Sequence, residues 1–137
     1  YQLSPWFRGI ASFHKDHMEI SRHVITKDDH DKKDIAYFNQ IIKDNIAVLK
    51  VNCLPLPSLL KDHSVDQVDV LVIDVEGVDY MVFEQFNFDL YVPYVVCIEV
   101  KHMDKAHQSL IIKKLESLGY NCKIHHHKDL LAIKPLD

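Results

Sequence analysis

Residues 68–75, VDVLVIDV, form an almost uninterrupted β-branched run that stops on Asp74-Val75-Glu76-Gly77. Short, apolar and bounded by polar residues, the run has the character of a strand covered on both faces, the kind found inside parallel sheets. It therefore predicts a central parallel strand. Residues 76–86 read as a helix with Val78, Met81, Val82 and Phe86 on one side, and residues 94–100, YVVCIEV, as a second buried strand after Pro93. Asp104 is placed to cap a helix running to Leu118, with Leu110, Ile111, Leu115 and Leu118 turned inward. Gly119 follows where a left-handed residue is favoured. Residues 120–127, YNCKIHHH, and 129–135, DLLAIKP, then read as an antiparallel hairpin.

The upstream pattern is less regular. Residues 1–26 show no clear period, with a short strand expected around Ile10–Phe13. The charged cluster KDDHDKKD at 27–34 precedes Ile35, Phe38, Ile41 and Ile42 at helical spacing; IAVLKVNCL at 46–54 alternates as a strand does, and PLPSLLKDH at 55–63 suggests a short helix. The 137 residues suffice for one sizeable core and not two. A single domain over 1–137 is expected, less regular over 1–45 and α/β over 46–137. Its sheet has parallel centre strands and a reversed edge, so ligands are expected beyond the carboxyl ends of the parallel strands, at Asp74–Gly77 and Glu99–His102.

Composition narrows the function. Only three glycines occur, Gly9, Gly77 and Gly119, against about ten at average usage, and no two are close enough to make a Gly-rich phosphate or nucleotide loop. A formal charge of −4 supplies no basic field for nucleic acid. The longest apolar runs are interrupted by acids well short of the roughly 20 residues of a membrane span. Cys53, Cys97 and Cys122 are odd in number and lack metal spacing, which predicts buried thiols and a cytoplasmic setting. Tyr1 in place of Met, with no leader pattern after it, predicts a fragment of a longer protein.

Three carboxylates and a histidine at adjacent strand ends form a candidate acid/base site: Asp74 and Glu76 at the first, Glu99 and His102 at the second. The alternative is structural, with Asp74 or Glu76 capping the next helix and Glu99 paired to a cation. His125-His126-His127 invites a metal, but alternation along a strand lets only His125 and His127 converge, so a polar edge strand is the preferred reading. His14, His17 and His23 lack a convincing ligand set, and Ser12 and Ser58 lie in no nucleophile motif. Cys97, mid-strand, reads as inert, and Trp6, Phe7 and Phe13 as packing residues or an aromatic lip over a pocket.

Ile73, Asp74, Glu76, Gly77 and Asp79 reproduce the Ile-Asp-x-Glu-Gly strand end of the FkbM family of S-adenosylmethionine-dependent methyltransferases, which this chain resembles. Asp79-Tyr80 is similar to one subgroup; Val72 stands where many members carry lysine, which removes any role for that lysine. The resemblance extends to PWFRGIASFHKDH at 5–17, VNCLPLPSLL at 51–60, the Glu99-x-x-His102 strand end and KLESLGY at 114–120, in the family's order over nearly the whole chain.

The resemblance implies a Rossmann-like class I methyltransferase fold, incomplete, with a mainly parallel sheet and a C-terminal antiparallel hairpin. It implies methyl transfer from S-adenosylmethionine to a hydroxyl of a sugar, polyketide or other small-molecule acceptor. The family's first strand, Gly-rich turn and ribose-binding acid have no match here, so a fragment inactive alone is expected. Asp74 and Val75 would border the donor, Asp74 or His102 would act as base, Glu76 would orient the turn or acceptor, and Glu99 would hold His102. No metal is assigned, although Asp74 and Glu76 could share a divalent cation. The competing expectation is a non-catalytic half-domain that forms a homodimer through the exposed edge of VDVLVIDV.

Overall fold

Pro55 and Pro57 place the first helix of the described chain, because a proline at the start of a helix gives up no intrahelical hydrogen bond. In the computed structural model, which describes residue 40 and residues 50–135, helix α1 spans Leu56–Asp62. The polypeptide divides into two compact units, Tyr1–Asn52 and Cys53–Asp137, and every element named below lies in the second. After α1 come β1 (Val70–Ile73), α2 (Asp79–Gln85), β2 (Val95–Glu99), α3 (Lys105–Ser117), β3 (Asn121–His125) and β4 (Asp129–Ile133). The strand expected at Ile10–Phe13, the helically spaced Ile35, Phe38, Ile41 and Ile42, and Trp6, Phe7, Ser12, Phe13, His14, His17 and His23 lie outside the described residues. Residues 50–54 are irregular where strand-like alternation was expected, and they join no strand of the described sheet. The proline after Leu54 favours extended backbone there without supplying a ladder.

The four strands lie in the order β1-β2-β4-β3. Only β1 and β2 are parallel, with Val70 opposite Val95 and Ile73 opposite Ile98; β2–β4 and β3–β4 are antiparallel. The described sheet is thus mostly antiparallel, which corrects the expectation of a mainly parallel one. The returning strand of the hairpin inserts beside β2, and the residue pattern explains why. Leu130 and Ala132 of β4 are buried against the helical layer, whereas Asn121, Lys123 and His125 of β3 are exposed. The more apolar strand takes the interior place and the more polar one the edge.

The second correction concerns β1. Among the described residues it pairs with β2 alone and forms the other edge of the sheet, with Val70 56% and Val72 65% exposed. Continuous β-branched content made it look covered on both faces, but only Ile73 is buried within it. Alternation assigns Ile73, Val96, Ile98, Leu130 and Ala132 to the helix-covered face.

That face is sealed by α2, α3 and an aromatic cluster. Helix α2 turns Asp79 and Phe83 inward, a spacing of four, while Met81 is exposed. Helix α3 buries Gln108, Ile111 and Leu115 and exposes Leu110. Met81 and Leu110 therefore face outward against expectation, because each helix aims a narrower stripe at the sheet than its apolar content suggested. Phe86 and Phe88 pack edge-on with ring centroids 4.8 Å apart, and Tyr91 and Tyr120 extend the cluster. Buried phenol oxygens need partners. Tyr91 donates to the Val65 carbonyl at 3.0 Å and Tyr120 to that of Pro93 at 2.5 Å. No described helix is long and apolar enough to cross a membrane.

Candidate functional site

Chain reversal after β1 requires backbone that few residues adopt. Glu76 has φ +52° and Gly77 φ +106°, two left-handed residues in succession. Glycine is at ease there, whereas a residue with a Cβ is disfavoured by about 1–2 kcal/mol. Asp79 holds the turn. Its Oδ1 accepts from the Val75 amide and its Oδ2 from the Gly77 amide, both at 3.0 Å, with only 5% of the residue exposed. The alternative of a plain Asp74 or Glu76 cap is not what α2 uses, since its N-terminal Val78 makes no side-chain cap bond. Asp79, which matched the sequence pattern without a role assigned to it, organises the turn.

At the end of the neighbouring strand Glu99 is half-buried, and beyond it the backbone turns through Val100–Asp104 into α3. Gln108 fixes this second turn, its Nε2 donating to the carbonyls of Val100 and Met103, each at 2.9 Å. Asp74, Asp79 and Glu99 each bring a carboxylate oxygen within 4.8 Å of the others. Burial, helped by the charges of Asp74, Glu76 and Asp79, pushes the Glu99 carboxyl up to about 7. Burial likewise raises Asp74, with Glu76, Asp79 and Asp129 adding to the effect. Among these carboxylates, the one nearest a neutral proton-transfer range is thus Glu99, which the sequence placed in a supporting role.

A cleft of about 460 Å³ opens between the two turns, and its lining includes Gly77, Asp79, Tyr80, Glu99, His102 and His107. Glu99 and His102, separate in the sequence pattern from the Gly77 turn, share this cleft with it. Asp74, Val75 and Glu76 lie on the turn but outside the lining. Asp74 is exposed. On the α3 side, the His107 ring stacks on Tyr80 with centroids 4.0 Å apart, and its Nδ1 lies 2.5 Å from Asp104 Oδ2. Tyr80 donates to Glu84 at 2.7 Å. Sequence reasoning saw Asp104 only as a cap and missed Tyr80, Glu84 and His107; the Asp-x-x-His spacing at the start of α3 was the available signal.

The histidine triplet lies outside the lining of the cleft. β3 ends at His125, and His126 and His127 form the hairpin turn with φ +48° and +58°. His127 is therefore not a strand residue, and alternation with His125 does not apply to it. The polar edge-strand reading agrees with β3 as the edge of the sheet and His125 as an exposed side chain. Cys97 sits mid-strand, its thiol pushed up by burial and by Asp129 and Asp74.

A family model, described as the methyltransferase FkbM domain, matches residues 10–122 and so spans both turns of the cleft. Neither a search of curated proteins nor one of solved structures returned a match.

Two outcomes follow from the geometry. Asp79→Ala removes the acceptor for two amides of one turn and should lower unfolding stability by about 3 kcal/mol, read by urea denaturation. For Glu99, a folded value near 7 against an ordinary 4.5 means that the folded state holds the proton more tightly. Its contribution is fully present below pH 4.5 and is lost as pH rises through 7. Glu99→Gln should flatten that slope and, at pH 8, be the more stable protein by about 1.5 kcal/mol once water on the exposed side is discounted. Urea titrations at pH 5 and pH 8 on both proteins check this.

Proposed function

The chain belongs to the FkbM methyltransferase family, and on that footing we propose that it serves S-adenosylmethionine-dependent methyl transfer to the oxygen of a hydroxyl-bearing small molecule, such as a sugar or polyketide alcohol. The observation that carries this reading is the carboxylate cluster of Asp74, Asp79 and Glu99 at two adjacent strand ends, beside a cleft. Clustered carboxylates suit a sulfonium cation, which is what the donor presents. The parallel β1–β2 pair with a hairpin returning beside it supports reading the sheet as one half of a Rossmann-like sheet.

When bound, the donor supplies a methyl group already activated by its positive sulfur. What remains for the protein is positioning, exclusion of water and acceptance of the hydroxyl proton. In this reading Asp74 and Val75 border the donor and Glu76 shapes the turn that separates donor from acceptor. Glu99 and His102 line the cleft where the acceptor oxygen is held, and Glu99, raised to about 7, is ionised in part near neutrality and so able to accept a hydrogen bond from that hydroxyl. Incubating the intact polypeptide that carries these residues with methyl-labelled donor and a panel of sugar and polyketide alcohols should label a hydroxyl. Glu99→Ala should lower kcat/KM by about 100-fold. Failure of S-adenosylhomocysteine to bind, together with no labelled acceptor, overturns the proposal.

The exposure of Val70 and Val72 on the edge strand β1 favours a second reading, a non-catalytic module that pairs two copies through that edge. It predicts a dimer by light scattering that Val72→Lys converts to a monomer. A monomeric parent at high concentration removes it.

A further inference from the structure

Three groups in the cleft could take the acceptor proton, and their surroundings differ. Glu99 holds its own proton close to neutrality. His102 is exposed on the turn after β2. His107, half-buried on the first turn of α3, has its ring held on two sides: Nδ1 against Asp104 and one face against Tyr80. Asp104 is itself pinned, because its Oδ1 accepts from the His107 amide at 2.9 Å. That amide bond, ahead of the ring contact, holds the Asp104 carboxyl below the ordinary carboxylate range. An ionised carboxylate on Nδ1 keeps the proton there and leaves Nε2 as the nitrogen able to accept one. Tyr80 is anchored in turn by Glu84. The charged and titratable groups that line the cleft with the imidazole are thus Asp104 on its own element, Asp79, Tyr80 and Glu84 of α2, Glu99 at the end of β2 and His102 on the turn after it.

We propose that His107, oriented by Asp104 and backed by Tyr80, is the general base of the cleft, in place of Asp74 or His102. This rests on the methyl-transfer reading above. The acceptor oxygen forms its bond to the methyl carbon as the carbon–sulfur bond breaks. The hydroxyl proton passes to Nε2 of His107, S-adenosylhomocysteine leaves as a neutral thioether, and the positive charge that began on sulfur ends on the imidazolium. Water then removes that proton. Asp104 stays on Nδ1 throughout, so the ring keeps its orientation.

A purely structural role for the same residues has a distinct signature. Asp104 and His107 occupy the N-cap and N3 positions of a capping box, and glutamine serves at N3 as a cap. His107→Gln therefore keeps the helix start and removes the base. The proposal expects this variant to melt within a few degrees of the parent and to bind S-adenosylhomocysteine with unchanged affinity. It expects kcat to fall 10²- to 10⁴-fold and the one-proton acid limb of the pH–rate profile, which Glu99→Gln retains, to disappear. Nitrogen-15 spectra of the ring should show Nδ1 protonated and Nε2 bare in the free protein at high pH, a readout independent of turnover. Wild-type rate and an intact acid limb in His107→Gln, or the opposite tautomer, overturn the assignment to His107 while leaving methyl transfer standing. A parent protein that neither binds S-adenosylhomocysteine nor transfers methyl overturns both.

Discussion

The amides of Val75 and Gly77 converge on the carboxylate of Asp79, and the turn between β1 and α2 has its shape because they do. Each side of this contact meets a need of the other. A carboxylate at 5% exposure cannot remain without donors, and two amides in an irregular turn have no ladder to join. Their union keeps Glu76 in a left-handed conformation that its side chain disfavours. The carboxylates of Asp74 and Glu99 face each other at the strand ends only while that turn is closed.

Charge distribution follows from the same arrangement. Two parallel strands end side by side, so whatever residues terminate them are neighbours, and here the terminators are acids. Burial, and after it the crowding of Asp74, Asp79 and Glu99 into one small volume, works against their ionised forms, as the upward displacement of Glu99 and Asp74 records. A fold selected for stability alone has no reason to keep such a cluster. A site that receives a cationic group or relays a proton does. Across the cleft, the Asp104–His107 pair lies at the start of α3, on a turn that Gln108 fixes from within the core.

Much of this was legible in the sequence, and the parts that were not share a cause. β1, β2, α3 and the hairpin announced themselves through β-branched runs, an Asp104 cap and a Gly119 stop, all local signals. The insertion of β4 beside β2 is a long-range choice made by burial of Leu130 and Ala132, and no local pattern encodes it. Strand-end acids were found because their positions depend only on where the strands stop. The contact between Tyr80 and His107 was not legible because it depends on how α2 and α3 approach each other. The outward turn of Met81 and Leu110 has the same origin: hydrophobicity along a helix gives a face, and the neighbouring elements decide how wide that face is.

The strand order also constrains how the chain assembles in time. β2 is made before α3 and β3, yet its second neighbour β4 comes only after them, so that side of β2 stays without a ladder until residue 133 has been synthesised. The β3–β4 hairpin closes locally and quickly, while its docking onto β2 spans more than thirty residues and is slow by comparison. During synthesis, Val96 and Ile98 would be presented on an open strand edge, the kind of surface that chaperones shield and that misassembly exploits. The strand that completes the sheet is therefore also the one that ends its most vulnerable interval.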